Sequence, residues 1–257
     1  MSSGQDRPLG IAFGVASILF LALFRWGNRA GFEVPLFIRG LYLLGACAFL
    51  VRHGIRTNGA KRFLRFCAAV FIVSAGAETL GVATGWLFGS YAYTDRLGPL
   101  LPGGVPLAIP VFWILMLYAA DDLAGLAVGR GRLLRAITAG AIAATWDLMV
   151  DPIAVAYECW GWVGGGPVFG IPASNAAGWW LVGTLAALAG GATGENAPPT
   201  LPHWFHHLPA LALLGAALNN LMGSFELGFP AAGLASVAAL SPYAIVASVR
   251  LSRRRST

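Results

Sequence analysis

Apolar residues come along this chain in blocks of roughly 15 to 25, the length a helix needs to cross a bilayer, and polar residues gather between the blocks. The blocks lie near 9–24, 34–51, 66–88, 105–128, 133–156, 176–192, 208–223 and 230–249. The pattern predicts an all-α integral membrane protein, a polytopic bundle of about 7–8 transmembrane helices in a single domain over 1–257, with no separate soluble domain. The first block is not expected to be a cleaved signal peptide. Its leading segment holds one Arg and one Asp, and no small-residue cleavage site stands out after it.

The polar segments orient the bundle. Arg52, Arg56, Lys61, Arg62 and Arg65 lie between the second and third blocks, Arg130, Arg132 and Arg135 between the fourth and fifth, and Arg250, Arg253, Arg254 and Arg255 close the chain. With the N-terminus and Arg7 inside, one side of the membrane takes 13 of the 17 basic residues. Basic residues favour the cytoplasmic side, so both termini are expected in the cytoplasm of a multi-pass cell-membrane protein. Two loops then fall on the other face, 89–104 and 157–175. Both are rich in Gly, Pro and aromatics, a composition that suits re-entrant-like backbone folded back against the bundle.

Within the blocks sit carboxylates that lipid would exclude. Asp147 and Asp151 are four residues apart, so a helix places them on one face. Glu78 lies among small residues in S-A-G-A-E-T-L-G, where a neighbouring helix can approach closely. Pro152 is expected to bend or end its helix just after Asp151. Intramembrane carboxyls face the bundle or a cavity. A buried pair can hold a protonated acid beside a carboxylate, which equips it to protonate a poor base. The bland alternative is a hydrogen-bonded strut between helices, or a pair neutralised by arginine. Asp121 and Asp122 are expected to snorkel toward the basic loop and pair with its charges. Asn219 and Asn220 read as helix–helix glue, and Glu158 and Glu226 as solvated span ends.

Composition narrows the chemistry. Apolar residues make up 57% and charged residues 11%, against about a quarter charged in soluble domains. The net charge of +6 does not indicate nucleic acid, because the basic residues sit at span ends. Cys47, Cys67 and Cys159 are odd in number and scattered, which argues against a disulfide framework or a thiolate metal site. Residues 203–207 read H-W-F-H-H, a spacing found in membrane di-iron enzymes. The chain has only 4 histidines, so His203, His206 and His207, with His53 elsewhere, are too few for such a site, and no metal is expected. No glycine-rich nucleotide loop or haem motif occurs, so no cofactor is expected.

Several motifs recur in a recognisable order: E-T-L-G-V-A-T-G-W-L-F-G-S-Y-A-Y-T, L-G-P-L-L-P-G-G-V-P-L-A-I-P-V-F-W, W-D-L-M-V-D-P, Y-E-C-W-G-W and V-F-G-I-P-A-S-N-A-A-G-W-W. Over 74–182 the chain resembles the multi-span carotenoid biosynthesis proteins, whose characterised members include carotenoid 1,2-hydratases and bisanhydrobacterioruberin hydratases. Two departures stand out. Ala176 and Ala177 follow Asn175 where the resemblance leads one to expect an aromatic, and Val168 precedes Phe169 where another is expected. Both put the substrate's identity in question more than the reaction class.

The resemblance implies a cofactor-independent hydro-lyase that adds water to the terminal C1,2 double bond of a linear carotenoid through a tertiary carbocation. Its partners would be the carotenoid, water, the lipid bilayer and other enzymes of carotenoid synthesis. Asp147 or Asp151 is then the expected proton donor and Glu78 the residue that orients water. Asn175, Tyr91 and Tyr93 would hold that water or the product hydroxyl. Phe88, Tyr91, Tyr93, Trp113, Trp160 and Trp162 would line the cation by cation–π contact. Two other readings stand beside this one. D-L-M-V-D also fits a Mg²⁺-dependent prenyltransferase-like enzyme. Intramembrane carboxylates also occur in transporters, and a non-catalytic carotenoid-binding or lipid-binding scaffold would keep the same apolar pocket.

Overall fold

The computed structural model describes residues 36–129, 131–191 and 203–255. The block expected at 9–24 lies outside the described residues. Seven helices longer than one turn are described: α1 (Leu36–Asn58), α2 (Ala60–Thr84), α3 (Ala108–Val128), α4 (Arg132–Ala156), α5 (Ala173–Gly190), α6 (Leu208–Glu226) and α7 (Pro230–Arg255). Five of them, α2, α3, α4, α6 and α7, are long and apolar enough to cross a membrane. The span expected at 176–192 is the shorter α5, which opens on the polar Ser174 and Asn175. The bundle is not purely helical. β1 (Tyr91–Tyr93) and β2 (Trp160–Trp162) form a two-stranded antiparallel sheet.

Two compact units are distinguished, one of residues 1–63 and 194–208 and the other of residues 64–193 and 209–257. In the first, α1 runs past the expected end of its block, so His53 is helical rather than in a loop. It is buried, and its Nε2 lies 2.8 Å from the Phe205 carbonyl. This histidine is a packing element.

The second unit carries the bundle. Helix α4 is its axis, packed against α5, α3 and α7. Gly140 makes the α4–α5 approach possible, since a Cβ there would meet the Trp180 carbonyl at 2.5 Å. Small residues at such crossings let helix backbones come together where lipid offers no hydrophobic gain. The apolar stretch of α3 is 67% buried inside the protein and that of α4 56%, against 28% for α2, α6 and α7. The two inner helices carry Asp121, Asp122, Asp147 and Asp151, α2 turns Glu78 inward, and the outer helices turn Ile72, Leu218 and Ile245 outward. Helix α4 runs through Pro152 to Ala156, the end expected for its block, so the proline does not terminate it.

Asp121 and Asp122 are buried rather than snorkelled. Arg135 donates from Nε and Nη2 to the Asp121 carboxylate at 2.9 and 2.6 Å, and Asp122 accepts the Ala210 amide near the start of α6 at 3.3 Å. Gly125 leaves room for the guanidinium, because a Cβ there would lie 2.8 Å from its central carbon. Removing one partner strands the other charge, so Asp121→Ala is expected to cost about 3–5 kcal/mol. Thermal retention in detergent measures the loss, and Asp121→Leu combined with Arg135→Leu should recover much of it.

Candidate functional site

The site begins with two short aromatic repeats. In Y-A-Y and W-G-W, aromatic and small residues alternate, so a strand puts both aromatics on one face. The strands pair with Tyr91 opposite Trp162 and Tyr93 opposite Trp160. Bonds from Val163 N to the Ser90 carbonyl and from Thr94 N to the Cys159 carbonyl extend the ladder at each end. Arg96 and Glu158 form an exposed ion pair beside it, so Glu158 is partnered rather than merely solvated. Helix α2 stops at Thr84, and Gly85 turns the chain with φ 70°. Phe88, expected at a span end, therefore lies in the connecting loop and is buried. Its carbonyl accepts the Trp162 indole N–H at 2.8 Å. The two loops pair with each other as well as folding onto the helices.

Beneath the ribbon, Glu78 sits in a socket of donors. Tyr91 and Tyr93 hydroxyls donate to its Oε2 at 2.5 and 2.7 Å, and the Trp113 indole N–H donates to Oε1 at 3.0 Å. Gly81, one helical step further along α2, has no side chain to obstruct Tyr91. A Cβ at Gly81 would lie 3.1 Å from the Tyr91 hydroxyl. Burial and the neighbouring Glu78 charge push both tyrosine phenols far above their ordinary range, so they remain donors. With three donors turned on it, Glu78 has the bonding pattern of a carboxylate acceptor.

Asp147 and Asp151 lie one helical turn apart on α4 and are both buried. Asn175, near the start of α5, bridges them. Its Nδ2 donates to Asp147 Oδ2 at 2.8 Å and to Asp151 Oδ2 at 2.5 Å. Asp147 Oδ1 is buried and takes no hydrogen bond from another described residue.

Two cavities adjoin these carboxyls. The larger, about 30 Å³, is walled by Glu78, Asp151 and Asn175 together with Phe88, Tyr91, Tyr93, Trp113, Trp160 and Trp162. The smaller, about 10 Å³, is bounded by Asp147, Leu148, Asp151, Asn175, Val168, Ile171, Pro172 and Ala176. Asp151 and Asn175 belong to both. No basic residue lines either cavity among the described residues, so the polar groups there are acids, phenols, indoles and one amide.

All ten residues singled out from the sequence meet in these two cavities. Ile109, Phe112 and Trp179 also line the larger one and were missed. Trp179 stacks on Trp113 with ring centroids 4.2 Å apart, and Phe112 on Trp146 at 5.3 Å. Helical spacing held the signal. Trp179 lies four residues after Asn175, Ile109 lies four before Trp113, and Phe112 lies three after Ile109. Among the described residues no cluster of histidine, cysteine and carboxylate groups is arranged to hold a metal.

The model of the carotenoid biosynthesis protein family matches residues 38–241. The bisanhydrobacterioruberin hydratase of Haloarcula japonica is 38% identical over 124 residues, which cover 47% of this chain and 42% of that protein. The shared stretch is thus less than half of either protein. No solved structure matches the chain. The family match takes in most of the chain and every residue of both cavities, and the protein therefore belongs to the carotenoid biosynthesis protein family.

Proposed function

We propose that this protein is a carotenoid hydratase that adds water across the terminal C1,2 double bond of an acyclic carotenoid end group. The observation that carries the reading is the arrangement around the larger cavity. A hydrogen-bonded carboxylate, Glu78, faces it from one helix and Asp151, one member of the carboxyl pair, borders it from another, with aromatic rings between. The hydratase relative named above adds weight from its matched segment.

The chemistry follows from what an alkene requires. It is a very weak base, so the donor must be a carboxylic acid kept from bulk water. Two carboxyls bridged by one amide nitrogen cannot both keep a negative charge in a dry site, so the pair shares a proton. Asp151, which faces the aromatic cavity, delivers that proton to C2. Positive charge develops at the tertiary C1, where the Trp113, Trp160 and Trp162 faces and the Glu78 carboxylate stabilise it. Water adds to C1 and its surplus proton returns to the pair, leaving a tertiary alcohol and a regenerated site. Glu78 thus serves as counter-charge rather than as the orienter of water. The cation is electrically matched to a pocket that holds acids and, among the described residues, no bases.

The Mg²⁺-dependent alternative has less support here. Asn175 donates to one oxygen of each aspartate of the D-x-x-x-D pair, Asp121 is engaged by Arg135, and among the described residues the cavities offer no basic group to a diphosphate.

Expression in bacteria that accumulate acyclic carotenoids, followed by chromatography and mass spectrometry, tests the reading. The expected product is heavier by one water, carries oxygen from H₂¹⁸O and forms without O₂. A confirmed membrane protein that leaves every acyclic carotenoid offered unchanged would reject it.

A further inference from the structure

We propose that the smaller cavity beside Asp147 is the seat of the water that is added, so that alkene and water reach the carboxyl pair from separate cavities. The inference rests on the hydratase reading and assigns its second substrate a place. At about 10 Å³ the cavity has room for about one water molecule.

A buried water needs two to four polar partners, and these are present. Asp147 is 2% exposed and its Oδ1 has no hydrogen bond from another described residue. Asp151 and Asn175 form the boundary with the aromatic cavity. The fourth partner comes from a break in the helix ladder. Pro152 has no N–H to give the Leu148 carbonyl one turn earlier, and Leu148 lines this cavity. A carbonyl released in this way is commonly satisfied by an ordered water. The remaining wall is apolar. Val168 and Ile171 exchange backbone hydrogen bonds of 3.1 and 3.0 Å across a tight turn at Phe169 and Gly170, whose φ values are 54° and 86°. That turn and Ala176 close the apolar side of the cavity.

The steps balance. Asp151 gives its proton to C2 and the cation forms at C1. The water held by Asp147 and the Leu148 carbonyl bonds to C1 through oxygen. The proton it sheds passes to the carboxyl pair, which ends the cycle as it began. If water is withheld, the cation can only lose a proton again, and the alkene is recovered.

This outcome provides the test. Ala176→Leu fills the small cavity, and Pro152→Ala restores the N–H that competes for the Leu148 carbonyl. Each full-length variant is incubated in ²H₂O with an acyclic carotenoid that the wild type hydrates, and product and recovered substrate are analysed by mass spectrometry. Hydration should fall about tenfold or more in Ala176→Leu and several-fold in Pro152→Ala, since both displace a well-held water. Deuterium should still enter the recovered substrate. Exchange and hydration falling together would overturn the proposal, because the cavity would then serve the acid. Unchanged hydration in both variants would overturn it equally. If Ala176→Leu does not accumulate, Pro152→Ala decides alone, since it removes a helix-breaking ring and should fold. A wild type that neither hydrates nor exchanges rejects the hydratase reading itself.

Discussion

Asp147→Asn and Asp151→Asn each leave a folded membrane protein that makes at least about a hundredfold less hydrated carotenoid. The expectation follows from what the substitution preserves. An asparagine can turn its carbonyl toward Asn175 Nδ2, so the bridge at 2.8 or 2.5 Å survives. The ionisable proton does not. A strut would tolerate the change, whereas an acid would not, and the two readings of these carboxylates separate on one measurement. Product per unit of membrane-inserted protein is the quantity to read. Full activity in both variants would leave the pair with a structural role only. The two should also differ in detail. Asp151 borders the aromatic cavity and Asp147 does not, so Asp151→Asn should abolish deuterium exchange into substrate, while Asp147→Asn should impair capture of water more than exchange.

Glu78→Gln should be the next most damaging change, lowering product by about a hundredfold or more. The amide has nearly the carboxylate's shape and can still accept from one side. It brings its own N–H groups to a socket where Tyr91, Tyr93 and Trp113 all donate, and it removes the negative charge opposite the developing cation. Tyr91→Phe and Tyr93→Phe each remove one donor and should cost less, about tenfold each. The ranking distinguishes roles. A carboxylate that only holds the ribbon in place should lose as much stability in Tyr91→Phe as in Glu78→Gln, with activity following stability. A counter-charge should lose activity in Glu78→Gln well beyond any change in thermal retention.

Features that depend on neighbours along the chain were legible before any fold was known. Runs of apolar residues place the cores of α3 and α4 within a few residues of their observed bounds, because hydrophobic length and helical rise are local quantities. The same helical period puts Asp147 and Asp151 on one face. The carboxylates stood out because lipid makes an unpartnered charge costly. Even Y-A-Y and W-G-W carried a readable alternation, although each is too short to announce a strand alone.

Tertiary structure decided the partners. Tyr91 and Trp162 are far apart in sequence, and only antiparallel pairing sets Tyr93 rather than Ala92 opposite Trp160. A shift of one residue would put the two tyrosines and the two tryptophans on opposite faces. Asp121 took its guanidinium from Arg135, which charge counting had grouped with the basic loop, because the first turn of α4 packs that arginine inward against Gly125. The donors around Glu78 come from α3 and the ribbon, and the amide that joins the aspartates comes from α5. A single helix reports its own face by periodicity. Which face of another element comes to lie against it depends on the packing of the whole bundle, and the residue types that wall the two cavities acquire their chemistry only there.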